Sequence, residues 1–145
     1  MSRVTPELRI FASRIVAFDK KENESSENKM PGGCLASEKL RPHLATLMGS
    51  IGFNALLTRS LTLAKADVSW LSAVHVRADG TFEGFEGLER RVDPVEFFEG
   101  CVILLAHLLG LLIAFIGEDL TFRLVREGWP TLRPRELDFA RGEKK

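Results

Sequence analysis

The chain has 145 residues, of which 45% are hydrophobic and 28% are charged, values typical of one globular domain with its own core. Lysine plus arginine and aspartate plus glutamate number 20 each, so the formal net charge is zero at pH 7. Because nucleic-acid-binding proteins usually carry a basic excess or a basic stripe, this balance argues against a nucleic-acid partner.

The first predicted element is a helix over residues 5–18, TPELRIFASRIVAF. Thr5 is a suitable N-cap and Pro6 suits the first helical position. The apolar residues recur at spacings of three and four, which predicts one buried face: Leu8, Phe11, Ile15 and Phe18.

Residues 19–33, DKKENESSENKMPGG, change the composition to charged and polar. Such a stretch buries too little apolar surface to offset the cost of ordering, so we predict a mobile linker. A partner-binding loop is the alternative, since long loops are often functional.

A second helical stretch covers residues 35–67 and contains two interruptions. Pro42 disfavours helix at the residue before it, so the helix is expected to kink or to begin there. The sequence GSIG, residues 49–52, is a further weak point, predicted to be a tight joint or a place of close packing.

Residues 68–74, VSWLSAV, are predicted to form a short helix or the entry to a strand. Asp79 and Gly80 then form a favourable two-residue turn, with Val74 and Val76 before it and Phe82 after it. We therefore predict a short β-hairpin that lies against the helices, since an isolated hairpin is only marginally stable.

The sequence DPVE, residues 93–96, predicts the start of a long helix, with Asp93 as N-cap and Pro94 in the first turn. This helix is expected to reach Gly117, or Gly128 if it does not break at Gly117. Pro130 cannot continue a helix. Residues 130–145 are predicted to be a loose tail. We predict that residues 1–145 as a whole form a single helical domain.

Residues 101–117, CVILLAHLLGLLIAFIG, are apolar apart from His107, and their helix is either the centre of a soluble core or a membrane-inserting segment. Length alone allows it to cross a bilayer. However, acidic residues flank it on both sides, whereas basic and aromatic residues are more usual at membrane edges. An all-round hydrophobic helix also fits the middle of a bundle of one-faced helices, so we expect a buried core helix.

Small residues follow one side of this helix at intervals of four and then three: Ala106, Gly110, Ala114 and Gly117. Small residues at such spacing allow two helices to approach closely. We predict a helix-packing groove that accepts a helix of the same chain or of a second copy.

The sequence contains no recognisable catalytic, cofactor or metal motif. The three histidines, His43, His75 and His107, are not at metal-binding spacing, and no phosphate-loop or nucleophile-elbow pattern occurs. His107 is interpreted as a core histidine hydrogen-bonded to one polar group, because buried imidazoles are normally satisfied in this way. It becomes a possible functional histidine if its helix lies in a membrane.

The two cysteines, Cys34 and Cys101, are 67 positions apart and belong to no C-x-x-C pair. We expect reduced thiols, with Cys101 buried as a small hydrophobic residue. The N-terminal residues lack the apolar core of a signal peptide. A cytoplasmic location is the resulting prediction, with membrane association as the alternative.

The sequence thus predicts a mainly α protein, a bundle of four or five helices around a central hydrophobic helix, with one short β-hairpin. The leading functional hypothesis is a non-enzymatic cytoplasmic interaction module, a regulatory or adaptor subunit that binds a protein partner or a second copy of itself and needs no cofactor. The alternatives are a membrane-inserting helical protein that acts through residues 101–117 and an enzyme with dispersed catalytic residues.

Overall fold

A computed structural model describes residues 5–24, 36–78, 82–84 and 88–129. In chain order the helices and strands are α1 (Pro6–Glu24), α2 (Ala36–Asp67), a 3-10 helix (Ser69–Ala73), β1 (His75–Val76), β2 (Phe82–Glu83), α3 (Leu88–Arg91), α4 (Pro94–Ile116) and α5 (Glu118–Gly128). The predicted loose tail, residues 130–145, lies outside the described residues.

Helix α1 begins where the capping signal predicts. The backbone N–H of Leu8 donates to the Thr5 hydroxyl over 3.1 Å. The predicted apolar face is confirmed, with Leu8, Phe11 and Ile15 buried and Phe18 packed against the core. The helix continues to Glu24, six residues beyond its predicted end at residue 18. That residues 19–33 form a mobile linker stays a prediction. Residues 25–33 of that predicted linker lie outside the described residues.

Helix α2 is interrupted at Gly49 rather than at Pro42. Pro42 lies inside the helix, whereas Gly49 has φ 82° and ψ 159°, a conformation that is essentially restricted to glycine. The predicted joint at residues 49–52 is therefore present. The prediction that the helix kinks or begins at Pro42 is wrong, because the interruption lies at Gly49. Past the joint, one face of α2 enters the core through Phe53, Leu57 and Leu61.

The chain between α2 and α4 contains the predicted short helix and hairpin. Ser69–Ala73 is a 3-10 helix, and β1 pairs with β2 in antiparallel register, with Val76 opposite Phe82. The predicted turn residues, Asp79 and Gly80, lie outside the described residues. Buried Val74 and Phe82 join the common core, which explains how so short a hairpin is held.

Helix α4 is the central element. The Asp93 side chain accepts a hydrogen bond from the backbone N–H of Val95 over 3.0 Å, and Pro94 occupies the first turn, as the sequence predicts. The helix ends at Gly117, which has φ 92° and ψ 161°, the same glycine-restricted conformation as Gly49. Helix α5 begins at Glu118 as a separate helix, so α4 does not continue to Gly128.

The core forms around α4. All residues from 100 to 110 are buried, and buried side chains of α1, α2, the hairpin and α5 complete the same cluster. Leu105, Leu109 and Leu112 are each at most 3% exposed, and Phe11 contacts Phe122 edge-to-face at 5.1 Å between ring centroids. The predicted mainly helical fold, packed around a central apolar helix with one hairpin, is confirmed.

The prediction of a reduced thiol at Cys101 is wrong, because Cys101 is disulfide-bonded. Its burial in α4 agrees with the sequence analysis. Cys34, the other cysteine of the chain, lies outside the described residues. Disulfides are uncommon in reducing compartments. The cytoplasmic location therefore remains a prediction that no longer rests on reduced cysteines.

Candidate functional site

His107 lies in the buried middle of α4, where the sequence placed its one polar side chain. The residue is 2% exposed, and its Nε2 atom is 3.1 Å from Oδ2 of Asp67, the last residue of α2. Because a carboxylate can only accept hydrogen bonds, the imidazole Nε2–H donates to Asp67. The side chain of Asp67 is about half exposed, at 53%, so the pair joins the interior of the bundle to its surface.

The second ring nitrogen of His107, Nδ1, is buried and has no hydrogen-bond partner in the described part of the chain. With Nε2–H donating, Nδ1 of a neutral imidazole is an acceptor. Among residues 5–24, 36–78, 82–84 and 88–129, no group of three or more histidine, cysteine, aspartate or glutamate residues is arranged to hold a metal ion. The geometry of His107 is that of a single polar link between two helices.

The four predicted helix-packing residues occupy different environments. Ala106 and Gly110 are buried, whereas Ala114 and Gly117 are exposed. Gly117 lies beyond the last residue of α4 and caps it, so the small-residue side does not continue along one helix to residue 117. Only the C-terminal part of the predicted groove is therefore open to a second molecule.

The exposed residues at the C-terminal end of α4 form a small surface that we call the α4 tip: Ala114, Phe115 and Gly117. Phe115 is 69% exposed, although residues 100–110 of the same helix are all buried. A Cβ atom placed on Gly117 would meet no atom within 4 Å, so the space beside it is open. The tip thus combines a projecting aromatic ring with residues that have little side-chain volume.

Sequence reasoning did not single out Phe115. Every residue around it in the run is apolar, and composition alone does not show which turn of an apolar helix leaves the core. The sequence analysis also missed Gly100, where a Cβ atom would overlap the indole ring of Trp70. That ring stacks on Phe97 at 5.1 Å, and its Nε1–H donates to the Glu96 carbonyl over 3.3 Å.

Helix α4 is, in the described residues, the one helix long and apolar enough to cross a membrane. The mean hydropathy of its most apolar 18-residue window is 2.3, and 67% of that window is buried inside the protein. A core helix of a soluble protein has the same length and composition, so these properties are compatible with both of the predicted roles of residues 101–117.

No protein-family model matches the chain, and neither the curated proteins nor the solved structures include a significant match.

Proposed function

We propose that this protein is a non-enzymatic interaction module that self-associates through the α4 tip. The observation that carries the proposal is the exposure of Phe115, 69%, at the end of the central apolar helix. Burying a phenylalanine side chain is worth about 1.5–3 kcal/mol relative to leaving it in water. A contact that covers Phe115 is therefore favourable by itself.

The shape of the tip favours a second copy of the chain as the occupant. In a two-fold dimer the same patch meets itself, so one patch must supply both a projection and a recess. Phe115 supplies the projection, while Ala114 and Gly117 supply low-volume positions within three residues of it. The open space beside Gly117 can accept the ring of the other copy.

The charges of the chain are compatible with self-association. The formal net charge is zero, so two copies do not repel each other as a whole. Next to the tip, Asp119 and Arg123 are both exposed and lie one helical turn apart on α5. Across a two-fold axis, Asp119 of each copy can approach Arg123 of the other, an exposed pair worth at most about 1 kcal/mol.

The size of the tip sets the expected strength of the dimer. A standard stable interface buries about 800 Å² on each partner, from 20 or more residues. The α4 tip has three residues, so we expect a weak dimer whose population depends on protein concentration. Some transient signalling contacts are small in this way. A different protein partner would contact the same aromatic residue.

The test is sedimentation velocity of the full chain over a range of concentrations, with wild type and Phe115→Ser compared. Wild type should shift towards a dimer as its concentration rises, and Phe115→Ser should remain monomeric. Val95→Ser is the matched control, because Val95 is 67% exposed at the opposite end of the same helix. A wild-type protein that stays monomeric throughout, or an equal loss of dimer in both variants, would contradict the proposal.

A membrane-inserting protein is the second candidate, and the length and hydropathy of α4 favour it. Insertion of α4 would expose to lipid the residues that now contact α1, α2 and α5, so the bundle would have to open. The two candidates differ in a simple property: the first protein folds and melts cooperatively without detergent, and the second requires lipid or detergent.

A further inference from the structure

A groove lies between α2 and β1, and none of its lining residues belongs to the α4 tip. Its volume is about 610 Å³, within the roughly 300–1,000 Å³ range of small-molecule pockets. One wall is a face of α2 and the other is the chain around the end of β1. The lining residues are Asn54, Ala55, Thr58, Arg59, Thr62, Val76, Arg77 and Ala78.

The α2 wall arises from helix periodicity. Asn54, Thr58 and Thr62 are four residues apart and therefore share one face of the helix, with Arg59 next to them. The neighbouring positions Phe53 and Leu57 point into the core. A polar face is thus held in place by the burial of the opposite, apolar face.

The two walls are joined by a side-chain hydrogen bond. The Asn54 amide Nδ2–H donates to the carbonyl oxygen of Ala78 over 2.8 Å. This bond connects α2 to the residue that follows Arg77, so the two arginines of the groove are attached to a common frame. The groove therefore exists before any ligand binds, which reduces the ordering cost of binding.

The charges that line the groove are two guanidinium groups. Arg59 is exposed and forms no ion pair with any described residue. Arg77 has one carboxylate neighbour, Glu83, at 3.6 Å from Nε to Oε1, which is longer than a hydrogen bond. Thr58 is also exposed at the rim. Guanidinium and hydroxyl donors on facing walls are the groups that bind oxyanions.

We propose that this groove binds a small organic molecule that carries a phosphate monoester. A phosphate monoester has a charge of about −1.5 to −2 at pH 7, which matches two guanidinium groups, whereas a carboxylate matches only one. The volume exceeds that of a bare phosphate ion, and the apolar side chains of Ala55 and Val76 offer a surface for the organic part. Arg59 and Arg77 bind the phosphate, and Thr58 donates a hydrogen bond to it.

The experiment follows the backbone amide NMR signals of the full chain during titration with phenyl phosphate, and with phenol as the uncharged control. Phenyl phosphate should shift the signals of Thr58, Arg59 and Arg77 in a saturable manner, and phenol should not. Arg59→Met and Arg77→Met should each weaken binding about tenfold or more, because each removes a charge-assisted hydrogen bond. Arg126→Met, an exposed arginine of α5, is the matched control and should bind like wild type.

Two further measurements sharpen the test. Glu83→Gln removes the carboxylate that competes for Arg77 and should tighten binding of phenyl phosphate. Cosedimentation with phosphatidic acid vesicles distinguishes a lipid headgroup from a soluble ester: vesicle binding that Arg59→Met abolishes would assign the phosphate to a lipid. Scattered or non-saturable shifts, or unchanged affinity in both arginine variants, would overturn the site.

Discussion

The Nε2 atom of His107 lies 3.1 Å from Oδ2 of Asp67, and this contact joins the centre of α4 to the C-terminal end of α2. An acidic residue at a helix C-terminus is unfavourable, by about 0.3–1 kcal/mol, because the helix dipole is negative there. A hydrogen bond that involves a charged group contributes about 1.5–3 kcal/mol. We therefore expect the contact with His107 to offset the unfavourable position of Asp67.

A double-mutant cycle of Asp67→Ala and His107→Leu should show this coupling. We expect a coupling energy of about 1–2 kcal/mol in the free energy of unfolding, measured by chemical denaturation. The cycle is required because Asp67→Ala alone also relieves the dipole effect and would understate the contact. Asp119→Ala combined with His107→Leu is the control and should be additive within about 0.5 kcal/mol. Additivity in the first cycle as well would show that the pair makes no energetic contribution.

Local signals in the sequence predicted the elements that depend on a few neighbouring residues. Thr5 and Asp93 cap the helices that they were expected to cap. The turn residues Asp79 and Gly80, with Val74 and Val76 before them and Phe82 after them, predicted the hairpin. These features succeed because capping and strand pairing of a short hairpin involve residues close in the chain.

Long-range features were missed because their partners are far apart in the sequence. His107 and Asp67 are separated by 40 positions, and no periodicity connects them. The close approach of Gly100 to Trp70 likewise depends on how α4 and the 3-10 helix are placed in space. Arg59 lies on α2 and Arg77 follows the end of β1, so the sequence alone did not bring them together.

Gly49 and Gly117 are the two joints of the bundle, and both should resist substitution. Each has a positive φ with ψ near 160°, so Gly49→Ala and Gly117→Ala should each lower the free energy of unfolding by about 1–3 kcal/mol. No atom lies within 4 Å of a Cβ at either position, so any loss comes from backbone strain rather than from a clash.

Gly52 provides the control for the glycine substitutions. It lies in α2, and the three atoms nearest to a Cβ there all belong to the Met48 side chain, the first of them Cγ at 3.3 Å. Gly52→Ala should be neutral or stabilising by up to about 1 kcal/mol, because alanine is the better helix former. If all three variants melt at the wild-type temperature, the glycine-restricted joints are not required by the fold.

The disulfide at Cys101 should contribute measurably to stability. A disulfide that closes a loop typically contributes about 2–4 kcal/mol by restricting the unfolded chain. Adding a reductant should therefore lower the melting temperature of wild type. Cys101→Ser should already melt at the lower temperature and should not respond to reductant. A wild-type protein whose melting does not change on reduction, together with a free thiol count of two, would show that the bond is absent.

The choice between a core helix and a membrane helix depends on what contacts α4. Leu109 is fully buried in the described structure, so Leu109→Ala should cost about 2–5 kcal/mol of unfolding free energy in aqueous buffer. Leu47→Ala is the matched control, because Leu47 is 47% exposed and its loss leaves no buried cavity; a change within about 0.5 kcal/mol is expected. Leu109→Asp buries an unpaired charge and should leave little soluble folded protein. The measurement is the yield and cooperative melting of all four proteins without detergent. If wild type remains soluble only in detergent and Leu109→Ala is indistinguishable from it, the membrane-inserting candidate becomes the leading one. His107 would then lie within the bilayer, with Asp67 as its one described polar partner.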